Sequence, residues 1–145
     1  MSAGIEIISN PVLHQVPLGQ LHHQWPILKT YVYAALKEAN NEMDLESVLE
    51  WIMQGRMTLF YITEAEVIIG AVTAVINVYP RRCTATIVHA SGKSMGKMLR
   101  CLPEFMIWAK QNGAESIRIV GRKGWERVLA AYGFEYRYTT VERAI

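Results

Sequence analysis

No aspartate or glutamate occurs between Glu66 and Glu104, although Arg81, Arg82, Lys93, Lys97 and Arg100 all fall inside that span. The middle of the chain is therefore locally basic, and it lacks the carboxylate that often serves as a general base. Cysteine is scarce as well. Cys83 and Cys101 are the two present, fewer than a secreted disulfide scaffold usually carries, so both are read as reduced thiols. His22 and His23 are adjacent, but no further Cys, His or acidic residue is spaced to complete a metal site, and no metal is expected. No apolar run is long enough to span a membrane. The opening "MSAGIEIISN" lacks the basic and apolar regions of a signal peptide, which leads to the expectation of a cytoplasmic protein. No internal repeat or low-complexity linker occurs. The net charge of +2 is too small to mark a nucleic-acid binder. What remains is a chain of 145 residues, 51% hydrophobic and 19% charged. That composition fits one globular domain over residues 1–145 with its own core.

Local patterns supply the elements. "IEIIS" (5–9) reads as a first strand ended by Asn10-Pro11, and residues 12–24 are ambiguous. Leu28, Val32, Ala35 and Leu36 recur at helical spacing from about Trp25 to Glu38, with Pro26 suited to a first turn. "DLESVLEWIMQG" is a clearer helix, with Asp44 as its cap and Gly55 as its end. Residues 58–63 and 67–79 form a hairpin around Glu64-Ala65-Glu66, and 83–90 is a further strand. A helix follows from about Gly96 to Gln111, kinked at Pro103. "SIRIVG" reads as a strand, "GWERVLAAYG" as a helix and "FEYRYTTVERAI" as a final strand. The order β-α-α-β-β-β-α-β-α-β predicts an α/β fold, a mixed sheet with helices on its faces.

The stretch "IVHASGKSMGKML" (87–99) joins a strand to a helix through a glycine-containing turn. It is not a P-loop, because only three residues separate Gly92 from Gly96 and Met98 follows Lys97. No G-x-G-x-x-G occurs, which disfavours a dinucleotide site. The N–H groups at the start of a helix, with its dipole and the nearby lysines, suit a pyrophosphate. A tight turn with solvated lysines fits these residues equally well.

This element order and loop resemble the GNAT superfamily of acetyl-CoA-dependent N-acetyltransferases. Val88 matches the valine that ends the family's fourth strand. Lys93 stands at its Gln/Arg position, Ser94 and Met95 fill two variable positions, Gly96 matches the glycine, and Met98 stands where a second small residue is expected. The resemblance implies a mixed, mostly antiparallel sheet flanked by helices, and an acetyl transfer from acetyl-CoA to a small-molecule or protein amine. It implies that Ile87, Val88 and His89 hold the pantetheine arm. Lys93, Ser94, Met95, Gly96, Lys97 and Met98 would hold the pyrophosphate, with Arg81, Arg82 or Arg100 placed for the 3′-phosphate. "IRIVGRKGWERVLAAYGF" also resembles small GNAT-like proteins encoded by bacteriophages and prophages. That likeness implies an alternative: an inactive module that binds a virion or host protein, or forms a homodimer.

Catalytic groups are harder to place. The family's acid tyrosine would fall at Leu129, and the Asn that opens its fourth helix is replaced by Gly121-Arg122-Lys123-Gly124. His89 is the titrating group on the central strand, and Tyr132 is the nearest tyrosine to the terminal Gly-Phe. These two are the catalytic candidates, each with a blander structural reading that is preferred. Cys101 is read as a core thiol. By resemblance, Trp125 lies near the thioester end of the cleft.

Overall fold

The computed structural model describes residues 10–38, 42–120 and 125–145. One five-stranded sheet, in the order β1-β2-β3-β4-β5, organises the chain. Its strands are β1 (Val12–Gln15), β2 (Thr58–Glu64), β3 (Val67–Val78), β4 (Cys83–Gly92) and β5 (Ser116–Ile119). The first four are antiparallel, and β5 joins β4 in parallel. The helices are α1 (Leu21–Leu36), α2 (Leu45–Met53), α3 (Met95–Leu99), α4 (Leu102–Gln111) and α5 (Trp125–Ala130), with a 3-10 turn at Leu18–Gln20.

Two cores form because β2 alternates. Leu59 packs with Leu28, Val32, Val48 and Ile52 on the α1/α2 face. Phe60 and Ile62 point the other way, to Met98, Cys101, Phe105 and Ala109 of α3 and α4. Phe60, Phe105 and Trp108 meet edge-on or tilted at centroid distances of 4.9 to 5.6 Å, a geometry that aromatic quadrupoles favour. α2 opens on a reciprocal cap: Ser47 N–H donates to Asp44 Oδ1 at 2.8 Å, and Asp44 N–H to Ser47 Oγ at 2.9 Å. Those bonds hold the Asp44 carboxyl below its usual range. Gly55 takes φ 73° just past α2, as the sequence predicts.

Four sequence expectations change. The strand expected at residues 5–9 lies outside the described residues, and the strand seen is Val12–Gln15, inside the stretch read as ambiguous. α1 starts at Leu21, so Pro26 is the sixth residue of the helix and not part of its first turn. The helix expected at 96–111 is two helices. Pro103 cannot donate to the turn before it and sits in the first turn of α4, so α3 stops at Leu99. Residues 134–145 form no strand. A strand needs a ladder partner, and the polar contacts of this segment are the Phe134 N–H donating to the Leu129 carbonyl at 3.3 Å, a Tyr136–Thr139 hydroxyl pair and the Arg118 guanidinium facing the Tyr138 ring.

Candidate functional site

Two breaks in the sheet coincide on β4. Thr73 pairs with His89 and Ala74 pairs with Ile87, so Val88 is an extra residue in β4, a bulge. On the other side, β5 pairs with Thr84 to Ile87 and ends at Ile119. From Val88 to Gly92, therefore, the outer edge of β4 has no strand beside it among the described residues. A cleft of about 290 Å3 opens there. Val88, His89 and Gly92 form its β4 wall, Ile119, Val120 and Trp125 stand opposite, and Met95 and Met98 come from α3. Trp125 is one of the residues that line this cleft.

His89 is 5% exposed. Its backbone N–H donates to Thr73 Oγ1 at 3.1 Å, and its Nδ1 lies 2.6 Å from the same oxygen. A hydroxyl has one hydrogen to give. One assignment that satisfies the His89 N–H, Nδ1 and the Thr73 hydroxyl together has Thr73 accepting from the backbone and donating to Nδ1. The imidazole hydrogen then sits on Nε2. Burial lowers the His89 pKa, which keeps the ring neutral and the Nε2–H in place near pH 7. The histidine read from sequence as a catalytic candidate, with a structural reading preferred, is buried and bonded to Thr73.

The loop after β4 divides its backbone groups. Lys93 N–H donates to the Ile69 carbonyl at 2.8 Å, Lys97 N–H to Ser94 Oγ at 3.3 Å and Met98 N–H to the Ser94 carbonyl at 3.1 Å. The N–H groups of Ser94, Met95 and Gly96 have no partner among the described residues. These are the first amides of a helix, which have no carbonyl four residues back. A Cβ at Gly96 would meet only Ser94 Oγ, at 4.0 Å. The Lys97 ammonium is held by Glu64 Oε1 at 2.6 Å. Met98, at the position where a second small residue is expected, turns inward. Its sulfur packs where a Cβ on Gly92 or Gly70 would sit, so the side chain leaves the loop surface clear.

Other candidates separate. Arg81 and Arg82 lie in the turn before β4, at the far end of that ten-residue strand from the loop, about 30 Å away at strand rise. They cannot serve a 3′-phosphate beside residues 94–96. Arg82 instead donates to Ser116 Oγ at 2.8 Å. Arg100 is exposed just past α3. Tyr132 is 43% exposed in the turn after α5 and is not a wall of the cleft, while Leu129 is 5% exposed. Burial pushes the Cys101 thiol up to about 11, with Glu104 adding to the shift. That thiol is inert core. His22 and His23 are exposed near the start of α1, with their rings 4.1 Å apart. The sequence reading missed Glu38. It lies just past α1 and lines the cleft with Ala34 and Ala35, and its place three and four residues after them was the available signal.

No protein-family model matches the chain, and no curated protein matches it by sequence. Solved structures do. The aminoglycoside N-acetyltransferase AAC(6')-Iy in complex with CoA has a TM-score of 0.68 at 16% identity, over 97% of this chain and 98% of that one. A predicted acetyltransferase from Clostridium acetobutylicum with acetyl-CoA gives 0.65 at 15% identity, over 92% and 96%. A GNAT family acetyltransferase from Staphylococcus aureus gives 0.65 at 13% identity, over 94% and 99%. These likenesses span nearly the whole of each chain, and the chain is built on the GNAT acetyltransferase fold.

Proposed function

We propose that the cleft between β4 and β5 binds acetyl-CoA and that the protein transfers its acetyl group to an amine. One observation carries this reading: among the described residues, the edge of β4 from Val88 to Gly92 has no strand beside it and leads directly to the amides of Ser94, Met95 and Gly96, which have no partner. Amides on a bare edge can bond an extended amide chain as a strand would. Three convergent N–H groups suit a pyrophosphate. Lys93 and Arg100 add positive charge, and Lys97 does so while shared with Glu64. The structural relatives solved with CoA or acetyl-CoA support the same ligand.

When bound, acetyl-CoA supplies an activated thioester carbonyl. The chain supplies the rest. The Nε2–H of His89 would be available to donate to the carbonyl oxygen, a role that suits a neutral imidazole held by Thr73. Glu38, just past α1 on the cleft wall, would take one proton from the acceptor's ammonium, and as the free amine attacks and the C–S bond breaks its second proton would pass to the departing CoA thiolate. The walls of Val88, Ile119 and Trp125 hold the reactants together. A second reading, a protein that binds acetyl-CoA or a partner without turnover, is favoured by Leu129, a buried apolar side chain at the family's tyrosine position.

The test is an acetyl-CoA titration by calorimetry on wild type and Gly96→Trp, followed by thiol release with a panel of primary amines. Gly96 has open space around it and no positive φ, so the variant folds and blocks the loop. Wild type binds with Kd near the micromolar range and the variant binds about a hundredfold more weakly or worse, a difference of roughly 2.8 kcal/mol. Binding without thiol release from any amine removes the transfer step, and no binding removes the cofactor site and leaves a partner-binding module as the reading.

A further inference from the structure

The sheet has a second break at its opposite end. β2 begins at Thr58, opposite Ala74, whereas β3 continues to Val78. Residues Val75 to Val78 pair with β4 on one side. On the other side no strand lies beside them among the described residues. The chain ahead of Thr58 turns away there, with Arg56 and Met57 both donating their N–H groups to the Trp51 carbonyl, at 2.9 and 3.2 Å. In an antiparallel ladder, alternate residues send both backbone groups to alternate sides. Two of these four residues therefore present an N–H and a C=O to open space. That space is a cavity of about 550 Å3.

The walls of the cavity are ordered around that edge. Trp51 packs with the α1/α2 core and Trp108 with the α3/α4 core, so the two indoles stand on opposite faces of the sheet, and both line the cavity. The Arg56 guanidinium lies 3.8 Å from the Trp51 ring centroid. Stacking uses the face of the guanidinium and leaves its in-plane N–H fork for a carboxylate. Asn77 Oδ1 already accepts from the Thr86 hydroxyl at 2.6 Å, which leaves its amide hydrogens as donors. Arg81 and Arg82 follow Val78 in the next turn and add positive charge at the same end.

A bare strand edge is a template for another strand, and an added strand points successive side chains to opposite faces. Here those faces are one indole each, with a cation on the Trp51 side. We propose that this end of the sheet docks an extended acidic peptide segment of a partner protein. The segment adds beside Val75–Val78, with an acidic side chain on Arg56 and an apolar one against Trp108. The groove is separate from the β4/β5 cleft and does not depend on what binds there.

The test is an NMR titration of the 15N-labelled full chain with a capped peptide of alternating aspartate and valine. Two control peptides are the lysine-for-aspartate version and the aspartate version N-methylated at alternate amides. The amides of Val75–Val78 and the indole N–H signals of Trp51 and Trp108 shift with the aspartate peptide, with Kd below about 1 mM. Arg56→Glu, a change at an exposed side chain, and the N-methylated peptide each weaken binding by about tenfold or more. The lysine peptide leaves the signals in place. No shift with the aspartate peptide, equal binding of any control, or shifts produced by raising the protein concentration alone would overturn the proposal. The last result would make a second copy of the chain the occupant.

Discussion

His89 couples the candidate site to stability. Its pKa in the folded protein lies below the ordinary value because burial disfavours the charged ring. The unfolded chain therefore binds more protons than the folded one as pH falls through about 6.5, and stability rises with pH across that range. In urea titrations from neutral to mildly acidic pH, the wild-type midpoint falls as pH is lowered, and His89→Gln removes that part of the slope. An unchanged slope would show that the folded protein protonates the ring freely. Gly92 gives a second test at this scale. A Cβ there would lie 2.6 Å from both the Ile69 carbonyl oxygen and the Met98 sulfur. Gly92→Ala destabilises by about 1–3 kcal/mol, read from the same denaturation midpoints. Adding Met98→Ala does not restore the loss, because the backbone contact with Ile69 stays. Sequence reading found these residues but not their duties. It offered Lys93 N–H to a phosphate, whereas a cross-strand carbonyl 24 positions earlier takes it. Such pairings depend on strand register, which spacing along the chain does not encode.

At the scale of elements, local signals were read well where the cause is local. The Asp44 cap, the Gly55 stop and the β2–β3 hairpin all rest on neighbours within a few residues. Pro103 marked a break in the helix, and its extent became clear only with the inward turn of Met98 and Leu99. The last segment misled because its aromatic alternation satisfies a strand pattern, while a strand requires a partner that the pattern cannot supply. The hairpin turn itself is poorly matched to its residues. Glu64 pairs with Val67, and the two residues between them, Ala65 and Glu66, take φ of 50° and 67°. Left-handed backbone costs a residue with a Cβ about 1–2 kcal/mol, and Asn-Gly is the preferred pair for such two-residue turns. The double variant Ala65→Asn/Glu66→Gly raises stability by about 1 kcal/mol, seen as a higher urea midpoint. Its Lys97–Glu64 ion pair stays intact. A lower midpoint would mean that side chains at 65 and 66 contribute contacts that outweigh the backbone strain.

Among the described residues, the molecule is a sheet covered on both faces whose inner strands lose pairing at two places, beside β4 after Ile87 and beside β3 after Ala74. β2, β3 and the first half of β4 are laced across two cores. β5 is held by four paired residues at the margin, and the cleft opens where that pairing stops. The sequence foretold a mixed sheet and a basic turn, but it could not foretell the divergence, because nothing in "SIRIVG" says where pairing with β4 ends. Segments with few pairings open at lower free energy than a laced core. Amide exchange of residues 116–119 is therefore faster than that of residues 71–76 in β3 of the unliganded protein. A ligand in the cleft touches both walls, so acetyl-CoA slows exchange at 116–119 and over α5. Binding at a hundred times Kd stabilises the closed state by about 2.7 kcal/mol, which sets roughly hundredfold as the greatest slowing where opening excludes the ligand. In Gly96→Trp the slowing disappears at the same acetyl-CoA concentration, while exchange in β3 stays as in the wild type. Slowing confined to residues 94–98 would place the ligand on the loop alone, outside the gap between β4 and β5, and would remove the geometric basis for acetyl transfer at His89.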